Sequence, residues 1–188
     1  MGNEALDVMH QFLGDSIYNS WILTNTFYVE WDGKSPVIET PLSGAAGVIN
    51  FLLQSWKNKI RIFPAMPDTW LNASFDKLRA EGGILVSAVR KEGKTQWVKV
   101  KSLAGEPCIV KVNDWTQMLS TDKNIKVTKT AVTGEFIVNL KKGEEVLLLP
   151  AIVKEAVILQ PIKNESKYFN YYGIKKGQQL KNDQFWSE

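Results

Sequence analysis

The residue types that most often bind metals or act as nucleophiles are scarce in this chain of 188 residues. It contains one histidine, His10, and one cysteine, Cys108. A single cysteine excludes an internal disulfide and a cysteine-built zinc site, and a single histidine excludes the usual histidine metal clusters. We therefore expect no metal and no cofactor, and we interpret His10 as a surface or packing residue.

Carboxylates remain as candidates for acid–base chemistry, and Glu39 has the most distinctive setting among them. It lies ahead of the stretch with the clearest helical pattern, where a carboxylate interacts favourably with the helix dipole or caps the helix. Asp32 is typical of a tight turn with Gly33, and we expect Asp68 to stabilise a bend between Pro67 and Trp70.

Helical periodicity identifies the element that would position Glu39. Apolar residues recur at the spacing of one helical face at Ala45, Val48, Ile49, Leu52, Leu53 and Trp56. This pattern predicts a helix over residues 44–56, with Ser43 as its N-cap and two lysines, Lys57 and Lys59, near its C-terminus. A shorter helix is predicted over residues 4–13, ending at Gly14.

Beyond Trp70 the apolar period changes from helical to two, which is typical of strands with one wet face. Turn residues separate short predicted strands at residues 84–89, 95–103, 108–112, 125–130, 135–140 and 145–149, and a strand at 60–63 precedes them. Such spacing predicts an antiparallel two-sheet sandwich over roughly residues 72–160. Trp97 and Trp115 either stack on a sugar ring or, as we expect, pack beneath neighbouring structure.

Charge and hydropathy exclude two classes of partner. The net charge is +3 and the lysines are scattered along the chain, so we expect no nucleic-acid partner. The sequence has no apolar run long enough for a transmembrane helix. Acidic residues interrupt the apolar positions of residues 1–20, which argues against a signal peptide and makes the chain as it stands look intracellular.

Two motifs resemble the inverting α-L-fucosidase family of glycoside hydrolases. Residues 38–55 resemble that family's last barrel hairpin, Ile-Asp-Gly-Asn-Phe-Gly followed by a small-residue helix start and Leu-Leu-Gln-Ser. Residues 63–70, Phe-Pro-Ala-Met-Pro-Asp-Thr-Trp, are similar to its Leu-Pro-Ala-Leu-Pro-Asp-x-Trp. The resemblance covers roughly residues 30–115. It implies a mainly β chain, with an antiparallel two-sheet β-sandwich preceded by a few helices left over from an α/α barrel.

The resemblance also implies a domain division and a role for Glu39. Residues 1–70 would be the end of the barrel with a linker, and residues 71–188 the C-terminal β-sandwich domain. Glu39 stands where the family has the aspartate that acts as general base, although Thr40-Pro41-Leu42-Ser43 replaces Gly-Asn-Phe-Gly after it. An inverting glycosidase also needs a protonated second carboxylate, which in this family lies upstream of the matching residues.

The function implied is that of a C-terminal fragment of such a hydrolase, inactive in isolation. The full enzyme would bind carbohydrate and could be secreted or periplasmic. The alternative is a stand-alone carbohydrate-binding or purely structural β-sandwich.

An unfinished barrel would leave apolar helix surface exposed, which isolated proteins rarely tolerate. We therefore expect self-association through the N-terminal helical segment. The side chains predicted to form that surface are Trp21, Phe27, Trp31, Val48, Ile49, Phe51, Leu52 and Trp56.

Overall fold

The computed structural model describes residues 1–14, 21–22, 28–29, 36–37 and 39–150. The chain divides into two compact units. One contains residues 49–162 together with Met1–Ala5, and the other contains residues 6–48 together with residues 163–188.

The N-terminal part of the chain contains two helices and a small sheet. Helix α1 spans Gly2–Gly14, which confirms the helix predicted over 4–13. Three two-residue strands follow and pair in antiparallel order: β1 (Trp21–Ile22), β2 (Tyr28–Val29) and β3 (Pro36–Val37). Helix α2 spans Glu39–Leu52. The turn predicted at Asp32 lies outside the described residues, as do most of the aromatic residues around it.

Two five-stranded sheets form the β-sandwich, as predicted. Sheet I has the order β10-β13-β8-β7-β6, with bounds Met118–Ser120, Glu145–Pro150, Lys94–Ser102, Ile84–Lys91 and Ala73–Ala80. Sheet II has the order β11-β12-β9-β5-β4, with bounds Val127–Lys129, Glu135–Val138, Cys108–Val112, Lys59–Ile62 and Leu53–Trp56. Every neighbouring pair is antiparallel except β5 and β9, which are parallel.

The core lies between the two sheets, where alternate residues of each strand point inward. In β8, Val98 and Val100 are fully buried, and Val110 and Val112 of β9 are their counterparts in the other sheet. Burial of such side chains away from water is the main favourable contribution to folding. The alternation predicted for β8 is therefore confirmed, whereas the sequence pattern did not predict strands β4, β6 and β10.

The helix predicted over residues 44–56 is present, but both of its predicted ends are wrong. Helix α2 begins at Glu39 rather than after an N-cap at Ser43, and it ends at Leu52. Leu53 is 5% exposed and pairs with Ile62, so the stretch after the helix is strand β4. Lys57 and Asn58, which follow β4, both have positive φ, at 54° and 57°. Two such residues form the type of tight turn that joins antiparallel strands, so the chain reverses here and cannot continue as a helix.

Strands β4 and β5 lie within the segment predicted to be barrel remnant and linker, residues 1–70. The parallel pairing of Ile60 with Val110 places β5 beside β9 in sheet II. Two strands of sheet II therefore come from before position 70. A domain boundary between residues 70 and 71 stays a prediction.

Candidate functional site

Glu39 is the first residue of helix α2, and its side chain is exposed. The N-terminal end of a helix carries partial positive charge, which favours a carboxylate there. The position is compatible with both roles considered for Glu39, and the role of general base stays a prediction.

One glycine of helix α2 lies beside a side chain of helix α1. A Cβ atom added at Gly47 would overlap the Cε atom of Met9 in α1. Gly47 therefore lets the Met9 side chain lie directly against the α2 backbone. The sequence pattern alone did not indicate this contact between Gly47 and Met9.

The segment between β5 and β6 has a structural role. Asp68 accepts a hydrogen bond from the Asn3 side-chain amide at 2.8 Å, and the Asp68 backbone N–H donates one to the Asn3 side-chain oxygen at 2.8 Å. Trp70 packs against Phe51, with ring centroids 5.2 Å apart. These hydrogen bonds link Asp68 to helix α1, and the role of Asp68 in stabilising the bend stays a prediction.

Neither tryptophan considered for sugar stacking is available to a ligand. Trp97 is 6% exposed and Trp115 is 2% exposed. The Trp115 indole N–H donates a hydrogen bond to the backbone carbonyl of Thr95 at 2.9 Å. Both side chains pack within the protein, as expected. Stacking on a sugar ring requires an open aromatic face, so these two residues do not form a saccharide platform.

An exposed tryptophan lies elsewhere, at the end of β4. Trp56 is 45% exposed, and the Arg61 guanidinium lies 3.8 Å from the centroid of its ring. Arg61 also donates hydrogen bonds to the backbone carbonyls of Trp56 and Lys59, both at 3.2 Å. The guanidinium thus occupies one face of the indole ring through a cation–π interaction.

A buried carboxylate lies on the outer side of sheet II. Glu135 is 5% exposed, and the Lys59 ammonium donates a hydrogen bond to it at 2.5 Å. The Lys111 ammonium lies 3.7 Å from the same carboxylate oxygen. Two ammonium groups pair with the buried carboxylate across β5, β9 and β12, so removing either lysine would leave this carboxylate less well compensated. Lys59 therefore binds Glu135 and is not a residue of a helix C-terminus.

A cleft of about 400 Å³ is lined by residues from both sheets of the sandwich. Its polar lining includes Lys59, Glu81 and Glu106, with the Cys108 thiol beside them. Burial raises the pKa of the Cys108 thiol to about 11. A thiol with this pKa is neutral at physiological pH and is a poor nucleophile.

Three further observations concern metal binding, the position of His10 and membrane-spanning helices. Among the described residues, no group of three or more histidine, cysteine, aspartate or glutamate side chains could hold a metal ion. His10 is exposed on α1, in agreement with its interpretation as a surface residue. No helix in the described part of the chain is both long enough and apolar enough to cross a lipid bilayer.

Comparison with known proteins identifies the sandwich. None of the curated proteins matches the chain. A family model described as glycoside hydrolase family 95, C-terminal domain, matches residues 54–148. This match covers about half of the chain and runs from β4 to β13, so it includes strands of both sheets. The chain therefore belongs to glycoside hydrolase family 95, of which residues 54–148 form the C-terminal domain.

Proposed function

We propose that this chain is the C-terminal portion of a glycoside hydrolase related to the inverting α-L-fucosidases. In this proposal the chain contributes the last barrel hairpin and a structural β-sandwich, and it does not hydrolyse a glycoside by itself. The observation that carries the proposal is the family match, which covers the sandwich and begins two residues after helix α2 ends.

The fucosidase relationship is supported by the motif residues on either side of the start of the sandwich. Glu39 takes the place of the family's catalytic aspartate, and the bend that ends at Trp70 matches the family's proline-containing motif. In the proposal these segments belong to one continuous hairpin and linker. The side chain of Glu39 is exposed at the N-terminus of helix α2. A water molecule that acts as nucleophile can therefore reach its carboxylate.

The proposed role of Glu39 is to remove a proton from the water that attacks the anomeric carbon. An inverting enzyme holds its two carboxyl groups about 6.5–9.5 Å apart so that this water fits between the base and the sugar. The second, protonated carboxyl group donates its proton to the leaving oxygen. In the proposal a barrel hairpin encoded upstream supplies that group, and the substrate is a carbohydrate bound by the complete enzyme.

The alternative of a stand-alone carbohydrate-binding sandwich is not favoured. The family to which the domain belongs is one of hydrolases, and Trp97 and Trp115 are buried. A binding module of this kind usually presents an open aromatic surface to the sugar.

Hydrolysis of aryl α-L-fucosides and α-L-galactosides tests the proposal. The isolated chain should give no turnover above buffer. After addition of the polypeptide encoded immediately upstream, turnover should appear, and Glu39→Gln should lower it by about two to four orders of magnitude because the general base is lost. Glu81→Gln is the matched control, since Glu81 is also an exposed glutamate.

Two outcomes would contradict the proposal. Turnover by the isolated chain that Glu39→Gln abolishes would mean that the chain is a complete small enzyme. Equal activity of Glu39→Gln and Glu81→Gln in the reconstituted enzyme would mean that Glu39 is only a helix-terminal residue.

A further inference from the structure

The outer face of sheet II carries an excess of positive charge. Lys59, Arg61 and Lys111 occupy outward-facing positions of β5 and β9. Lys57 lies in the turn that precedes β5. We call these four residues the basic face. Within the five strands of this sheet, Glu135 of β12 is the single acidic residue. The face therefore favours an anionic partner.

Strand register places the cations on one side of the sheet. Ile60 and Ile62 are buried in the core, so Lys59 and Arg61, which alternate with them, point outward. Arg61 is the direct neighbour of Lys111 in the parallel pairing of β5 with β9. Neighbouring strands lie about 4.8 Å apart. Like charges this close repel each other, and an anion placed above them relieves the repulsion.

The basic face already binds one carboxylate. The ammonium groups of Lys59 and Lys111 lie 2.5 and 3.7 Å from the same oxygen of Glu135. Glu135 is 5% exposed, whereas both lysine side chains are 26% exposed and stay in contact with solvent. No carboxylate among the described residues pairs with Arg61 or Lys57. These two cations are available for a further carboxylate.

An exposed aromatic side chain borders the basic face. Trp56 is 45% exposed and pairs with Lys59 across the β4–β5 hairpin. The Arg61 guanidinium and the Lys57 ammonium lie 3.8 and 5.5 Å from the centroid of its ring. Lysine is depleted at the centre of protein–protein interfaces, so these surroundings are unfavourable for a protein partner. They suit a saccharide, because a sugar ring can contact the indole while its acidic group meets the cations.

We propose that the basic face and Trp56 form a binding site for a polysaccharide that carries carboxylate groups. Arg61 and Lys57 bind the carboxylates, and the exposed part of the indole contacts a sugar ring. Glu81 and Glu106 line the cleft between the sheets, so the anionic chain lies over sheet II and not in the cleft. The polyanion is taken to be a carbohydrate because the proposed function is that of a glycoside hydrolase, but its binding does not depend on catalysis.

Affinity electrophoresis of the full chain through gels that contain a polysaccharide tests the site. Polygalacturonate should retard the chain, and high salt should weaken this effect. Fully methyl-esterified polygalacturonate, which has the same backbone without the charge, should not retard it. Poly-L-glutamate should bind about fivefold more weakly than polygalacturonate, since it offers no sugar ring to Trp56. Equal binding of poly-L-glutamate would assign the face to an acidic peptide. That result, or no retardation by polygalacturonate, would overturn the proposal.

Substitutions locate the site. Arg61→Gln should weaken binding to polygalacturonate about tenfold. Trp56→Ala should weaken it about fivefold and leave binding to poly-L-glutamate unchanged. Arg61 also holds the turn after β4, so Lys57→Gln is the milder variant, with an expected loss of about threefold. Lys94→Gln, at an exposed position of sheet I, is the matched control and should bind like the wild type. Equal losses in Lys94→Gln and Lys57→Gln, or no loss in any variant, would mean that the charge acts diffusely and would overturn the proposal.

Discussion

At the scale of single residues, Thr95 forms hydrogen bonds to Asp114 through both its backbone and its side chain. Its backbone N–H and its hydroxyl group donate to the two carboxylate oxygens of Asp114, at 2.7 and 2.8 Å. Thr95 lies in β8 of sheet I, and Asp114 follows β9 of sheet II. These bonds connect the two sheets at one place, between Thr95, which is 3% exposed, and Asp114, which is exposed.

We predict that Asp114→Ala lowers the free energy of unfolding by about 2–3 kcal/mol, because it leaves two buried donors of Thr95 without an acceptor. Asp114→Asn keeps one oxygen and should have about half that effect. Urea unfolding followed by circular dichroism measures both. The control is Asn113→Ala, at the exposed neighbouring position, which should change stability by less than about 0.5 kcal/mol. An Asp114→Ala variant as stable as this control would contradict the prediction.

The buried thiol of Cys108 makes stability depend on pH in the alkaline range. Burial raises the pKa of this thiol from its ordinary value of 9.0 to about 11, so the unfolded chain loses the proton at a lower pH than the folded chain. The contribution of the thiol is therefore constant below pH 9 and falls between pH 9 and 11. We predict that the wild-type chain loses about 2 kcal/mol more than Cys108→Val between about pH 8 and about pH 10.5.

Urea midpoints at the two pH values measure this difference. Titration of the lysines and tyrosines affects both proteins equally and cancels in the comparison. Parallel losses in the two proteins would mean that the thiol ionises as readily in the folded state as in the unfolded one.

At the scale of elements, the turn between β4 and β5 decides where helix α2 must end. Asn58 has a φ of 57°, a left-handed conformation that glycine adopts at less cost than asparagine. Asn-Gly and Asp-Gly are preferred in this type of two-residue turn. We predict that Asn58→Gly raises the free energy of unfolding by about 0.5 kcal/mol, because relief of the left-handed strain outweighs the greater entropy of glycine in the unfolded chain.

Asn113→Gly is the matched control for this turn. Asn113 is exposed and is not among the described residues with positive φ, so glycine there should be destabilising. Chemical denaturation of both variants gives the comparison. A loss of stability in Asn58→Gly comparable to that in Asn113→Gly would contradict the assignment of a tight turn after β4.

At the scale of the whole molecule, part of the predicted apolar surface is exposed and part is not. Val48 and Ile49 of α2 are 37% and 43% exposed, whereas Phe51 is 4% exposed and Leu52 packs against the core. The side chains of Trp21, Phe27 and Trp31 lie outside the described residues. We propose that self-association through the N-terminal segment uses the exposed α2 residues.

We predict that the chain forms dimers at low micromolar concentration and that Val48→Glu with Ile49→Glu shifts it to monomers, because two charges would face an apolar partner surface. Light scattering coupled to size exclusion measures the mass. Val132→Glu is the control, since Val132 is 48% exposed in a turn and should leave the mass unchanged. A wild-type chain that is already monomeric would contradict the proposal.

The sequence by itself determined the parts of this protein that depend on local side-chain direction. The apolar period of two beyond Trp70 predicted strands with one wet face, because successive strand residues always point to opposite sides. Turn residues between the strands predicted at 84–89 and 95–103 agree with the observed hairpin between β7 and β8, where Glu92 and Gly93 both have positive φ. The lone cysteine and histidine excluded metal clusters built from those two residue types by composition alone. Short motifs around Glu39 and Trp70 were sufficient to indicate the hydrolase family.

Only the tertiary structure decided the features that depend on distant partners. Leu53 and Trp56 continue the apolar pattern of α2, but pairing of β4 with β5 converts them to strand, because a hairpin that completes a sheet outweighs weak helical preference. The same applies to Trp97, for which the sequence left both sugar stacking and packing beneath neighbouring structure open, and whose side chain is buried. Burial depends on what lies above a sheet, and neither residue type nor spacing within one strand contains that information.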